Sequence, residues 1–384
     1  MTATDTTAPT PEASAPEAPR GNSWLPTWHG TKLVANIELH RRRPSKKGWI
    51  VYGVTVGGVI ALAVLIAAFA GSGNTTIPLE LNLLMVLGLG VLIGTSLAAT
   101  SVNGDSTEGV LAPMQMTRLT AGDLAFGKLI ASWLVAVIAL VTLLPILVYS
   151  YIKANWSPGE VGAMIAVILF TVLATTAIGL AWSSIAARSI ASVSLAHLTV
   201  GMLAIGSMVL MGIATPLVSE EVPQVHKSRD WSSVTEEQYN DPFFSEDDLP
   251  CMEDTYPVYV THTDRLSWLL LVNPVIVLGE TAPLVDVDRM RAGEVGQGLF
   301  QMMHQFVSDA RMGPDPIVDL DFCADPMYGG GPSWEERGYE AAAYPRNPWV
   351  GLGTYAVLLI GSLWLTVNRL RVPYRTLRGG TRVA

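Results

Sequence analysis

The chain has 384 residues, half of them hydrophobic and 15% charged, with a mean hydropathy of +0.37 and a formal net charge of −9. That balance belongs to a bilayer protein and excludes a soluble enzyme, a secreted disulfide scaffold and a nucleic-acid binder.

Residues 1–20 contain no large aliphatic or aromatic residue after Met1 and are dense in Ala, Pro and Thr, so 1–23 reads as a disordered cytoplasmic tail. Over 24–48, Trp24, Leu25, Trp28, Leu33, Val34, Ile37 and Leu39 alternate with polar residues and lead into Arg41, Arg42, Arg43, Lys46 and Lys47. An amphipathic helix lying in the headgroup layer fits this pattern, as does a polybasic stop before the first span, and the two are compatible. Pro44 is expected to break that helix. Six uncharged apolar windows follow, at 49–70, 79–100, 129–151, 161–183, 190–215 and 348–368. Each approaches the ~20 residues needed to cross ~30 Å of hydrocarbon. The first has no small-residue cleavage site behind it and stays as an anchor.

Charge orients the chain. Residues 216–347 hold 24 Asp/Glu and 8 Lys/Arg, whereas the remainder holds 9 acids and 16 bases. All but Lys153 of those 16 bases fall on one side, among them Arg20, Lys32, Arg118, Lys128, Arg188 and the tail Arg369, Arg371, Arg375, Arg378 and Arg382. Lys and Arg in short loops resist translocation, so both termini are expected to be cytoplasmic, in a multi-pass protein of a bacterial plasma membrane. The acidic segment 216–347 is then extracytoplasmic, and 369–384 is a basic cytoplasmic tail. Its scattered prolines and acid clusters, with a Gly-Gly-Gly-Pro turn at 329–332, read as irregular rather than as a large sheet domain. Within it, 266–284 is apolar but is broken at Asn273-Pro274, and a seventh crossing would put the basic tail outside, so a re-entrant or surface hairpin is expected. Both cysteines, Cys251 and Cys323, lie in this segment, where a disulfide or two free thiols are open.

The loop 101–128 between the second and third windows carries the most informative residues. Gly122 to Lys128 matches G-x-x-x-x-G-K but continues into Leu129 where a Mg²⁺-binding Ser or Thr is needed, and no strand precedes it, so a phosphate loop is rejected. Asp105 and Glu108 precede Gly109-Val110-Leu111-Ala112, then Thr117-Arg118-Leu119-Thr120, Asp123 and Gly127-Lys128. This order and spacing resembles the cytoplasmic loop of type-2 ABC exporter permeases, with departures at Val110, Ala112, Arg118 and Thr120. The resemblance implies an all-α polytopic fold: six transmembrane helices, an interfacial N-terminal helix and a large insertion between spans five and six. It makes Asp105, Glu108, Gly109, Leu111, Arg118, Thr120, Asp123, Gly127 and Lys128 the candidate residues for coupling to an ATPase subunit. Independently, Val110, Leu111, Met114 and Met116 could offer one apolar side of a short helix to a groove on a soluble partner, or rest on lipid.

Elsewhere, Glu80 and Glu160 sit at outer span ends where water should reach them, and His197 is the one ionisable residue well inside a span, a functional candidate or a hydrogen-bonded packing residue. Gly53, Gly57 and Gly58 in span one and Gly88, Gly90 and Gly94 in span two permit close helix contacts. Asp315, Asp319, Asp321 and Asp325 lack calcium-loop spacing and read as surface charge, so no metal is expected. The expected function is a permease subunit, not an enzyme, with no cofactor of its own. Two copies of an ABC ATPase subunit would supply ATP and Mg²⁺ chemistry, and a second permease copy or a sister permease, with membrane lipids, completes the partners. An amphipathic or lipid-like cargo suits the uncharged spans. The alternative is a membrane enzyme acting on lipid-linked substrates at the outer face.

Overall fold

The computed structural model describes residues 24–371 apart from positions 44, 70–75, 116, 155, 242, 246–248, 326, 328, 331 and 332. The expected tail 1–23, the break at Pro44, Met116, part of the 329–332 turn and most of 369–384 lie outside those residues. Helix α1 (Trp28–Arg41) precedes α2 (Lys46–Phe69), α3 (Ile77–Ala99), α4 (Ser101–Thr107), α5 (Leu111–Gln115), α6 (Ala121–Val141), α7 (Leu144–Ala154) and α8 (Pro158–Ile185). Next come α9 (Ser189–Gly201), a π-turn at Met202–Gly206 and α10 (Ser207–Ala214). Six helical stretches are long and apolar enough to cross a membrane: Lys46–Leu65, Ile77–Thr107, Ala121–Val141, Pro158–Ile185, Ser189–Val218 and Trp349–Leu370. They are referred to below as spans one to six.

Spans two and four form the centre. Gly90 and Gly94 lie against Val172 and Thr176, and a Cβ on Gly179 would sit 2.5 Å from the Thr95 carbonyl, so these two helices cross where side chains are smallest. Gly53, Gly57, Gly58 and Gly88 face open space in this chain. Leu83, Leu87, Met164, Ile168 and Tyr355 fill the core beside them, and Asn82 donates to the Ser150 hydroxyl at 2.6 Å, tying α7 to span two. Span one stands apart: only 6% of its apolar window is buried, against 61% for span four.

Two spans depart from the expected windows. The third begins at Ala121 rather than 129 and ends at Val141, after which a turn separates it from α7. Pro145 in the first turn of α7 cannot donate to the residue four back, which interrupts the ladder. In span five the π-turn exposes a carbonyl, and the Asn273 amide donates to that of Ala204 at 2.5 Å.

The segment 216–347 is not irregular. It holds β1 (Ser219–Arg229) antiparallel to β2 (Cys251–Thr261), with β3 (Leu320–Asp321) parallel on the other side of β1, in the order β2-β1-β3. Register sets Pro223 opposite Pro257. Facing prolines in a non-hydrogen-bonded pair remove no ladder donor, which is how two strands tolerate a central proline each. Short α11 (Glu236–Tyr239) lies between the strands. After them come α12 (Trp268–Leu271), α13 (Pro274–Gly279), α14 (Val287–Arg291), α15 (Leu299–Met312), α16 (Trp334–Ala343) and α17 (Trp349–Leu370), the last being span six. Asn273 caps α13, so the apolar stretch 266–284 is two short helices with a break. They pack on the long helices: Gly351 lies 2.5 Å, by its notional Cβ, from the Leu271 carbonyl, and the Tyr355 hydroxyl donates to Val272 at 3.2 Å.

Candidate functional site

One carboxylate starts two helices. Thr120 and Asp123 form a capping box at the start of α6, the Thr120 hydroxyl accepting from Asp123 N and Asp123 Oδ2 accepting from Thr120 N, both at 2.9 Å. The other oxygen of Asp123 accepts from Thr27 N at 2.5 Å and Thr27 Oγ1 at 3.0 Å, and Thr27 is itself the N-cap of α1. Glycines let α1 lie this close: a Cβ on Gly122 would sit 2.6 Å from the Trp24 carbonyl, and one on Gly127 would sit 2.6 Å from Val34. Gly127 is therefore a helix-crossing residue inside α6.

One turn further along α6, Lys128 is fully buried. Its ammonium donates to Glu38 of α1, to Asp105 of α4 and to the Ser101 carbonyl at 3.1 Å, which uses all three of its protons. The second oxygen of Asp105 accepts from Arg41 at 2.7 Å, and Arg41 reaches on to Glu108 at 2.9 Å. Arg42 approaches the remaining oxygen of Glu38 at 3.6 Å. Three cations thus meet three anions, grading from Lys128 in the core to Glu108, whose side chain is 63% exposed. The hydrogen bond to Asp105, aided by the nearby carboxylates, holds the Arg41 guanidinium above its ordinary range, whereas burial lowers that of Arg42. In a buried cluster of this kind, removing one member leaves charge in a poorly solvating interior.

Of the nine residues singled out in this region, the structure brings Asp105, Glu108 and Lys128 into that one cluster, and Thr120, Asp123 and Gly127 into the neighbouring helix joint. Leu111 is 4% exposed and packs with Val34, Val102 and Leu124, with Met114 against the same cluster. Of the expected apolar side, Leu111 and Met114 therefore face inward, while Val110 is exposed. Gln115 donates to the Leu370 carbonyl at 3.0 Å and fastens α5 to the end of span six. The exposed residues of the loop are Thr107, Glu108, Gly109, Val110 and Pro113, with Thr117 and Arg118 beyond. Gly109 makes the apex turn at φ +71°, which a side chain would strain. Sequence reading missed Glu38, although it is the only acid between 24 and 48.

Other candidates resolve into packing. His197 Nδ1 faces the Val193 carbonyl at 2.9 Å and so donates to it, leaving Nε2 to accept from the Ser96 hydroxyl at 3.2 Å. Glu80 is not at a watered end: it is fully buried and accepts from Leu299 N, capping the start of α15. Glu160 belongs to the capping box of α8, accepting from the Ser157 hydroxyl at 2.8 Å. Asp315 pairs with Arg337, and Asp321 and Asp325 accept from their own turn amides. Among the described residues no His, Cys, Asp and Glu group could hold a metal ion. Cys251 and Cys323 are joined in a disulfide that ties the start of β2 to the turn after β3.

A serine, a histidine and a carboxylate do converge in the insert. Ser308 Oγ lies 3.3 Å from His304 Nε2, and His304 Nδ1 lies 2.7 Å from Glu280. That Nε2 also faces the Tyr344 carbonyl at 3.0 Å, an acceptor only, so it donates there and has no lone pair for the serine proton. Asn347 N donates to Glu280 at 2.6 Å, and Arg311 sits 3.6 Å from the same carboxylate. Spacing in the sequence could not reveal this group, because its members come from α13, α15 and the turn before span six. No protein-family model matches this chain, and no curated protein matches it.

Proposed function

We propose that this chain is the membrane-spanning permease subunit of an ABC exporter, moving an amphipathic or lipid-like substrate with ATP hydrolysed by a separate subunit. The observation that carries the reading is the graded ion cluster. Glu108 at the exposed apex connects through Arg41 and Asp105 to Lys128, so one accessible point is joined to α1, span two and span three. A subunit gripping Thr107 to Val110 and Arg118 would move three helices together, and ATP binding could then bias an alternating-access equilibrium. The bias of Lys and Arg supports a cytoplasmic location for this end and an extracytoplasmic one for the acidic insert. Leu33 and Ile37, one turn apart on α1, are exposed along one edge of the face that buries Val34 and Glu38, and Trp28 is exposed at the helix start, which suits a helix that touches the headgroup layer.

The test is purification from cells in mild detergent with an ATPase subunit encoded beside this chain. Glu108→Lys is expected to remove the ATPase from the purified complex while leaving the chain in the membrane. Undiminished co-purification would count against docking at this loop, and nucleotide turnover by the purified chain alone would overturn the permease reading.

A further inference from the structure

Where span one stands away from the other long helices, it leaves a groove of about 700 Å³ between itself, the C-terminal end of α1 and spans two and three. Along its depth the wall is apolar, with Val56 and Val59 of span one facing Leu89 and Ile93 of span two. Its mouth differs. Arg42 and Arg43 line it there, beside Trp49 and Tyr52, whose rings meet edge to face at 5.9 Å. Tyr52 donates to the Thr142 hydroxyl at 3.0 Å, bracing span one against the end of span three so that the groove stays open.

Two features of this groove select its occupant. Arg42 Nη1 is buried with no hydrogen-bond partner, and Arg43 makes no ion pair among the described residues, so two guanidinium groups are left with donors to offer at one end of an apolar channel. From Gly48 to Val59 the groove follows twelve helical residues, a rise of about 16 Å, which is roughly half of a ~30 Å hydrocarbon core and so the depth of one leaflet. An apolar chain one leaflet long, ending in an anion that accepts from arginine, is an anionic phospholipid.

We propose that this groove binds one anionic phospholipid of the leaflet at the basic end, its phosphate held by Arg42 and Arg43 and an acyl chain lying along span one. The site rests on the six-span membrane reading and is independent of the ATPase partner. Native mass spectrometry of the purified full chain, given equal dioleoyl phosphatidylglycerol and dioleoyl phosphatidylcholine, tests it. The wild type is expected to retain phosphatidylglycerol with a preference on the order of tenfold, because both lipids offer a phosphate to the two arginines but the choline cation of phosphatidylcholine opposes their charge. Arg43→Gln, which leaves the ion cluster whole, should lower that preference, and Arg42→Gln/Arg43→Gln should abolish it. Val56→Trp, which fills the channel, should remove the retained lipid of both kinds. Equal retention of the two lipids by the wild type would overturn the site, as would unchanged selectivity in the double variant. A lipid-free dimer that dissociates on Val56→Trp would overturn it in favour of a second copy of the chain. Failure of the membrane reading would register separately, as a chain released from membranes without detergent.

Discussion

Two buried charged clusters hold non-spanning segments against the six long helices, and they end differently. In the insert, Glu280 meets His304, Arg311 and Asn347 N, while the far side of His304 donates to the Tyr344 carbonyl, so every arm closes on a group inside the fold. At the other end, Lys128, Glu38 and Asp105 are equally buried, but the chain of contacts continues through Arg41 to Glu108 in solvent. A closed cluster fixes what it touches. An open-ended one fixes the same kind of joint and also reaches solvent, at Glu108, where the proposed ATPase subunit would grip it.

Removing the centre of the open cluster should have the largest effect. Lys128→Met leaves Glu38 and Asp105 with only their arginine partners at the edge of the cluster, and loss of the one fully buried counter-charge costs up to roughly 3–5 kcal/mol. Denaturant unfolding of the purified chain in detergent measures it. The triple variant Glu38→Gln/Asp105→Asn/Lys128→Met removes the charges together and is expected to recover most of that loss, since coupled groups are strongly non-additive. A triple variant no more stable than Lys128→Met would mean that packing, not charge, holds this joint.

The closed cluster should be less sensitive. Glu280→Gln keeps the shape and one acceptor while losing the charge opposite His304 and Arg311, a loss of about 1–3 kcal/mol for imperfectly paired buried groups. Because Glu280 joins α13 to α15 and to the start of span six, the readout is faster proteolysis within 281–343 than in the six long helices. Uniform sensitivity across the chain would show that the insert is not held separately.

How much of this was readable beforehand depended on whether charge marked a loop or a joint. Five of the six uncharged windows each fall on one long helical stretch, because hydrocarbon thickness sets both length and composition, and the third, 129–151, is divided between α6 and α7. The same rule misplaced the start of span three at 129: Asp123 and Lys128 look like loop residues, yet one caps the helix and the other is paired inside it. Glu80 was assigned to water for the same reason, when its partner is the start of a helix more than two hundred residues away. The strands went unread because Glu220, Glu221, Lys227, Glu253 and Asp254 dilute their alternation, and each carries a proline that only the facing register excuses. Of the site, Asp105, Glu108 and Lys128 carried a visible pattern; Glu38 and Arg41, supplied by a different helix, became members only through the α1–α6 crossing.

That crossing has its own, smaller test. Thr120→Ala removes the hydroxyl that caps α6 but leaves Asp123 bonded to Thr27, and loss of a cap costs about 1 kcal/mol. Asp123→Ala uncaps α6 and breaks the contact to α1 together, so it should exceed Thr120→Ala in the same unfolding measurement. Equal losses would separate the start of α1 from the stability of this end.

Glu108→Lys sharpens the contrast most, because its stability effect should be the smallest and its functional effect the greatest. The side chain is largely in solvent, and an exposed ion pair contributes roughly 0–1 kcal/mol after screening. The substituted ammonium would still face Arg41, but both groups can turn toward water, so the buried part of the cluster is expected to survive. Unfolding should therefore shift by less than about 1 kcal/mol while ATPase co-purification is lost. A large drop in stability would instead make Glu108 part of the joint itself, and the two clusters would then differ in position but not in kind.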